Sequence, residues 1–273
     1  MSANPPVPVD HLPGVVKYDE KNGSNLPAHI REAMSKGSGI GWVTPADLVF
    51  PRLIVVSSSS KIAKERGPDN KPLCNEGDLW HKQNQRVYAP FGGSVRVIPV
   101  ACQREYLHWH PRDSNKGLAE KTTDPKSPLA IQCQQAAEMA KRGELKKDDS
   151  KPTFVESHAW LFWDLHRNEA YVLSFKGGNI AESQAVISAL TMKKVPLYGY
   201  VFDLVTFMKN ARPPNPKFPA VNFKQYGWAS VEMFQHFEKV AKDLGGKDFS
   251  APEDEPLTEE APVHSGTAES EIN

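Results

Sequence analysis

Cysteine is scarce in this chain. Cys74, Cys102 and Cys133 are an odd number with no CxxC pair, so no disulfide framework is expected and a reducing compartment fits. Long apolar runs are missing too. The longest, Val195 to Phe202, has the length of a strand and falls far short of the ~18 residues of a membrane span. Met1 to Pro13 carries no Lys or Arg and no apolar h-region, which argues against a signal or transit peptide and leads to the expectation of a cytoplasmic protein. There is no Walker A pattern, GxSxG, HExxH, EF-hand or dinucleotide-binding glycine fingerprint, and each absence removes a mechanistically specific enzyme class. Without a fixed-period repeat or heptad run, solenoids and coiled coils drop out as well.

Charge of one sign is absent only locally. Over 273 residues, 33 Lys+Arg balance 33 Asp+Glu, which on its face argues against a polyanionic partner. From Phe249 to Asn273, however, there is no Lys or Arg, and seven acids are present: Glu253, Asp254, Glu255, Glu259, Glu260, Glu269 and Glu271. The remainder, Met1 to Asp248, therefore holds 33 basic against 26 acidic residues. A basic body is joined to an acidic tail, and the neutral average conceals both.

The order of elements follows from local signals. Residues 1–23 read as a flexible arm rich in Pro, Gly and Asn, followed by a short helix over Pro27 to Lys36 with Gly37 and Gly39 at its end. The run Leu53 to Val56 reads as a buried strand, and Ser57 to Asn75 as a polar loop. From Gly77 to His110 the pattern is all-β, with Pro99 placing its strand at an edge or breaking it. Pro111 to Pro128 reads as another polar connection. Ile131 to Arg142 then reads as helix, and Phe154 to Leu165 with Ala170 to Phe175 as a hairpin. A helix over Ala181 to Met192, strands over Tyr198 to Met208 and Asn222 to Trp228, and an amphipathic helix from Met233 to Leu244 complete the body. This order lacks the strict β–α alternation of a doubly wound sheet, so the expectation is α+β: an antiparallel, OB-like β-barrel core over 24–248 with inserted and flanking helices. Residues 249–273 form a tail with little to bury, expected to be disordered.

Three arrangements bear on chemistry. Gly177-Gly178-Asn179 before a helix could offer backbone N–H groups to a phosphate, but a turn needing positive φ is the commoner use of such glycines. His108 and His110 flank Trp109 on one strand, and with Cys102 or Cys133 nearby they approach a zinc set. With two ligands paired and no second cluster at ligand spacing, polar residues on a solvated strand face are the reading, with no metal or other cofactor expected. Asp78, Glu156, Asp164 and Asp203 lie in or near strands, and nothing in their spacing gathers them into a nuclease centre.

More informative is the interleaving of rings and cations on the expected sheet. Trp80, Arg86, Tyr88, Arg96, Arg104, Tyr106 and Trp109, followed by Lys176, combine faces for base stacking with cations for phosphates, as single-stranded nucleic acid binding requires. Strand alternation puts Arg104, Tyr106, His108 and His110 on one face, expected to be wet, and Leu107 with Trp109 on the other. Trp80, Tyr88, Tyr106 and Trp109 are the expected stacking residues. Arg86, Arg96, Arg104 and Lys176 are the expected phosphate contacts.

This β-rich, aromatic and basic body, followed by a tail running from Glu253-Asp254-Glu255-Pro256 to Glu269-Ser270-Glu271, resembles single-stranded DNA-binding proteins of bacterial and bacteriophage replication modules. The stretches Asp47 to Leu53, Gly77-Asp78-Leu79, Pro196 to Tyr200 and Lys209-Asn210 are similar to uncharacterised phage proteins of that kind. The resemblance implies an OB-type barrel that binds the strand, work in the host cytoplasm, and an acidic tail that recruits replication or recombination proteins. The chain departs from it in length and in ending Ser270-Glu271-Ile272-Asn273, without a terminal aromatic. The expected function is sequence-tolerant single-stranded DNA binding without enzymatic activity. A metal-dependent nuclease or recombination accessory enzyme is the second class and a virion or scaffold protein the third; homodimerisation is left open.

Overall fold

The computed structural model describes residues 50–244 except 59, 68, 112, 113, 115, 145–149 and 211–216. The chain divides into two units, Met1–Asp47 and Leu48–Asn273, and every described residue belongs to the second. The expected arm, the helix over Pro27 to Lys36 and the acidic tail lie outside the described residues.

The elements follow the order β1 (Arg52–Val55), α1 (Lys61–Lys64), β2 (Leu79–His81), β3 (Arg86–Ala89), β4 (Ser94–Trp109), β5 (Leu118–Thr122), α2 (Pro128–Arg142), β6 (Thr153–Asp164) and β7 (Glu169–Lys176). Then come α3 (Ile180–Lys193), β8 (Tyr200–Lys209), β9 (Phe218–Trp228) and α4 (Val231–Leu244). The protein is α+β. Its strands form one nine-stranded sheet in the order β3-β2-β1-β7-β6-β4-β8-β9, with β5 also paired to β4. The β1–β7 pair is parallel, and the other named pairs are antiparallel.

The sheet curls. In a flat sheet with strands ~4.8 Å apart, the first and last strands of this order would be about 34 Å from each other. Yet Leu79, Tyr88 and Ala89 from one end share a single apolar cluster with Tyr200, Phe202, Leu204 and Val221 from the other. Trp160, Phe162, Tyr171 and Phe175 of the central hairpin fill the middle of this concave core. Helix α3 closes over it through Leu190, Val186 and Ile187. Its Ser183 Oγ accepts from Trp160 Nε1 (2.7 Å) and is also hydrogen-bonded to His158 Nδ1 (2.8 Å).

On the convex face, Ile98, Val100, Leu161, Val172 and Val201 are covered by α4 through Phe237 and Leu244. Helix α2 is stopped and started as its sequence dictates. Ser127 caps it by accepting from Ala130 N (3.1 Å) with Pro128 following, and Gly143 at φ 76° ends it. Its buried face, Leu129, Ala130 and Cys133, packs on Tyr106.

Most expected elements form within a residue or two of their sequence limits. The strand expected to lie at an edge or to break at Pro99 is one sixteen-residue strand between β6 and β8, and the proline appears in it as a register shift between Pro99 and Ala101. Pairing of β4 to β8 ends at Val97, two residues before the proline that has no N–H to donate. The polar connection after His110 contains the unexpected β5, and the loop after Ser57 contains α1.

Candidate nucleic-acid interface

The four rings expected to stack on bases are core residues. Trp80 is packed with Val56 and Cys74. Tyr88 donates its hydroxyl to Asp164 (2.7 Å) beneath the Arg167 guanidinium, and burial pushes its phenol far above the ordinary range. Tyr106 lies under α2, and Trp109 is buried with Lys176 Nζ 5.5 Å from its ring centre. As placed, none of these rings offers a face to a base. The face expected to be wet is therefore the wrong one around Tyr106: α2 covers it, because strand alternation fixes which residues share a face but not which face a helix will occupy. On the same face His108 stacks on Phe154 at 4.7 Å.

The expected cations reach solvent more often. Arg86 is exposed at the start of β3. Arg104 is 54% exposed and pairs with Glu156 (3.1 Å), which also faces His158 Nε2 at 3.5 Å. The His158 hydrogen bond and the Arg104 charge hold the Glu156 carboxyl below the usual carboxylate range, against the opposing effect of burial. Lys176 is half-buried beside Trp109.

The strand carboxylates each have local partners. Asp78 accepts from Asn75 N (2.7 Å) and Phe91 N (2.8 Å), Asp164 from Tyr88 and the hairpin loop, and Asp203 from Arg96. Among the described residues no three His, Cys, Asp or Glu side chains are grouped as a metal site. Gly177-Gly178-Asn179 forms a 3-10 turn into α3. The Gly178 carbonyl accepts from Lys209 Nζ (2.9 Å), and Phe218 packs where a Gly178 Cβ would stand, so the turn is filled by the protein itself.

One combination of an exposed ring with cations does form, at the far end of the sheet. Val95, Val97, Phe202, Leu204, Val221 and Phe223 point into the concave core, so the intervening Arg96, Asp203 and Lys224 point out from the convex face. Arg96 and Asp203 are paired across β4 and β8, and Asp203 and Lys224 across β8 and β9. The register of β8 against β9 shifts between Val201 and Phe202, leaving Tyr226 as the extra residue of a bulge between Gln225 and Gly227. A bulge re-aims a side chain. Here it lays the Tyr226 ring on the Arg96 guanidinium, 3.3 Å from the ring centre, while 60% of the residue remains exposed.

Arg96 is also held by two bonds to Asp203 (3.0 and 3.2 Å), which raise its pKa. Lys224 and Gln225 beside it are exposed. Past the bulge, Trp228 turns to the opposite face, where it packs on Tyr200 at 4.3 Å and stays 63% exposed.

A family model described as "Pam3 phage gp34-like protein" matches residues 20–250. The chain belongs to this phage protein family. No curated protein and no solved structure matches it. No helix among the described residues is long and apolar enough to cross a membrane.

In this gp34-like protein, the expected Arg96 is at the β4–β8–β9 face, but its neighbours Lys224 and Tyr226 were not expected there. The signal that marks them is the tract Lys224-Gln225-Tyr226-Gly227-Trp228, a polar and aromatic run at the end of a strand with a glycine that interrupts alternation.

Proposed function

We propose that this gp34-like protein binds single-stranded DNA without strong sequence preference, in phage DNA replication or recombination. The observation that carries the reading is the exposed Tyr226 ring stacked on Arg96 with exposed Lys224 beside it, at the β8–β9 end of the convex face. The curled sheet then serves as an OB-like platform. Tyr226 gives a base a π-face, the guanidinium behind it keeps that ring in place, and Lys224 meets a phosphate. Trp228, across the strand edge, offers a second ring to a strand that passes over β9.

Titration of the protein with fluorescein-labelled oligo-dT, against a duplex of equal length, tests the proposal at two salt concentrations. The single strand binds preferentially, and log K falls with log salt by about 0.7 for each phosphate neutralised. Absent or salt-insensitive binding contradicts it.

The acidic tail, in this proposal, competes for the same basic face and meets replication or recombination partners when DNA displaces it. Replacing the seven tail acids by Gln and Asn in the full chain then tightens oligo-dT binding, most at low salt. Unchanged affinity at low salt rejects tail competition.

A further inference from the structure

Residues two apart on a regular strand share a face, so Tyr226 and Trp228 would stand side by side if β9 were uninterrupted. The bulge parts them. Tyr226 lies on the convex face against Arg96, while Trp228 pairs with Tyr200, whose ring belongs to the concave core. Their Cα atoms are at most ~7 Å apart along the chain, yet their rings lie on opposite sides of the sheet. Gly227 stands between them, and a Cβ added there would meet no atom of the described residues within 4 Å. The end of β9 is therefore a narrow rim with an exposed aromatic surface on each side and open space where the two sides meet.

The Trp228 side is equipped much as the Tyr226 side is. Its indole rests on the buried Tyr200 ring with 31° between the planes, which leaves the other indole face outward. Helix α3 ends beside it at Lys193, an exposed cation whose Nζ is 5.7 Å from the Tyr200 ring centre. Each side of the rim thus has an exposed ring, a group behind that ring, and an exposed lysine. β9 is also last in the strand order, with β8 as its named partner, so a chain can round the rim without crossing another described strand.

We infer that neighbouring nucleotides of a single strand straddle this rim, one base on Tyr226 and the next on Trp228. The sugar-phosphate chain crosses at Gly227, and Lys193 meets the phosphate on the Trp228 side. The inference rests on the proposed binding of single-stranded DNA at Tyr226, and it adds the feature that rejects a duplex. Neighbouring bases of a duplex are ~3.4 Å apart along its axis and held by their pairing, so they cannot open around a sheet. A single strand gives up the stack between two of its bases, and the two rings replace it.

Gly227→Val tests the crossing without removing a ring or a cation. The φ of Gly227 is outside the left-handed region and its Cβ position is open, so the substitution should leave the melting midpoint near wild type. Fluorescein-labelled oligo-dT and a duplex of equal length are titrated with wild type, Gly227→Val, Trp228→Ala, Trp228→Phe and Lys193→Ala. Gly227→Val and Trp228→Ala are expected to bind oligo-dT at least about fivefold more weakly, and their preference for the single strand over the duplex should fall by the same factor. Trp228→Phe keeps a π-face and should bind nearly as wild type, while Lys193→Ala should reduce the log–log salt slope by about 0.7. If Gly227→Val or Trp228→Ala binds oligo-dT as wild type does while Tyr226→Ala is weakened, the straddling is overturned and the Tyr226 site stands. Equal losses on single strand and duplex overturn it as well. A wild-type protein that does not bind oligo-dT overturns the Tyr226 site and the straddling together.

Discussion

Asp164→Ala is expected to lower stability by about 3–5 kcal/mol, the summed cost of leaving the buried Tyr88 phenol and two hairpin-loop N–H groups without their charged acceptor. Asp164 is fully buried at the end of β6. Its carboxylate accepts from Tyr88 Oη (2.7 Å), from the backbone N–H of His166 (2.7 Å) and Arg167 (2.8 Å), and from Arg167 Nη1 (3.0 Å). Arg167 completes the circuit by donating to the Tyr88 carbonyl (2.8 Å). One side chain thus ties the loop of the central hairpin to β3 at the end of the sheet. Its removal leaves a buried phenol and an arginine without their acceptor. At ~2–4 °C per kcal/mol for a domain of this size, the melting midpoint should fall by roughly 6–20 °C. Asp164→Asn keeps one acceptor for the loop N–H groups and should lose less. Thermal unfolding followed by circular dichroism measures both, and an unchanged midpoint in Asp164→Ala would remove this residue from the account of the fold.

The second large effect concerns binding and should leave stability alone. Tyr226→Ala removes the exposed ring, and stacking on one base is worth ~1–3 kcal/mol, so oligo-dT affinity should fall by about 5- to 150-fold. Tyr226→Phe keeps the π-face and should bind nearly as wild type. Lys224→Ala should weaken binding moderately and reduce the log–log salt slope by about 0.7. Because Tyr226 and Lys224 are exposed, these changes should move stability by no more than ~0.5 kcal/mol. Parallel titrations and melts separate the two effects. A Tyr226→Ala protein that binds as wild type would take the ring out of the site.

The fold was more legible in the sequence than the site, for identifiable reasons. Helix α4 declares itself through Met233, Phe237, Val240, Ala241 and Leu244, all of which face the convex cluster. The β6–β7 hairpin is announced by two apolar runs around a short polar loop, and Pro99 by the register shift it imposes. Strand β5, Leu-Ala-Glu-Lys-Thr, is too polar to stand out, because it pairs by backbone bonds while presenting charged side chains.

The candidate site was misread at the rings. Aromatic residues serve cores and binding faces alike, and composition does not separate the two. Trp80, Tyr88, Tyr106 and Trp109 sit on strands, but their burial is decided by partners remote in sequence: Val56, Asp164, α2 and Lys176. Arg96 was recognisable as a surface cation. That it would meet Tyr226, 130 residues later, depended on a bulge in β9 that no local pattern reveals.

The most direct test of the binding face is photocrosslinking to oligo-dT carrying 5-iodouracil, with the attachment point read by mass spectrometry. The proposed interface predicts a salt-sensitive crosslink at Tyr226, with Trp228 as the secondary site, and its loss in Tyr226→Ala. A crosslink mapping away from the β8–β9 edge, or none under conditions where a control binder reacts, would contradict it.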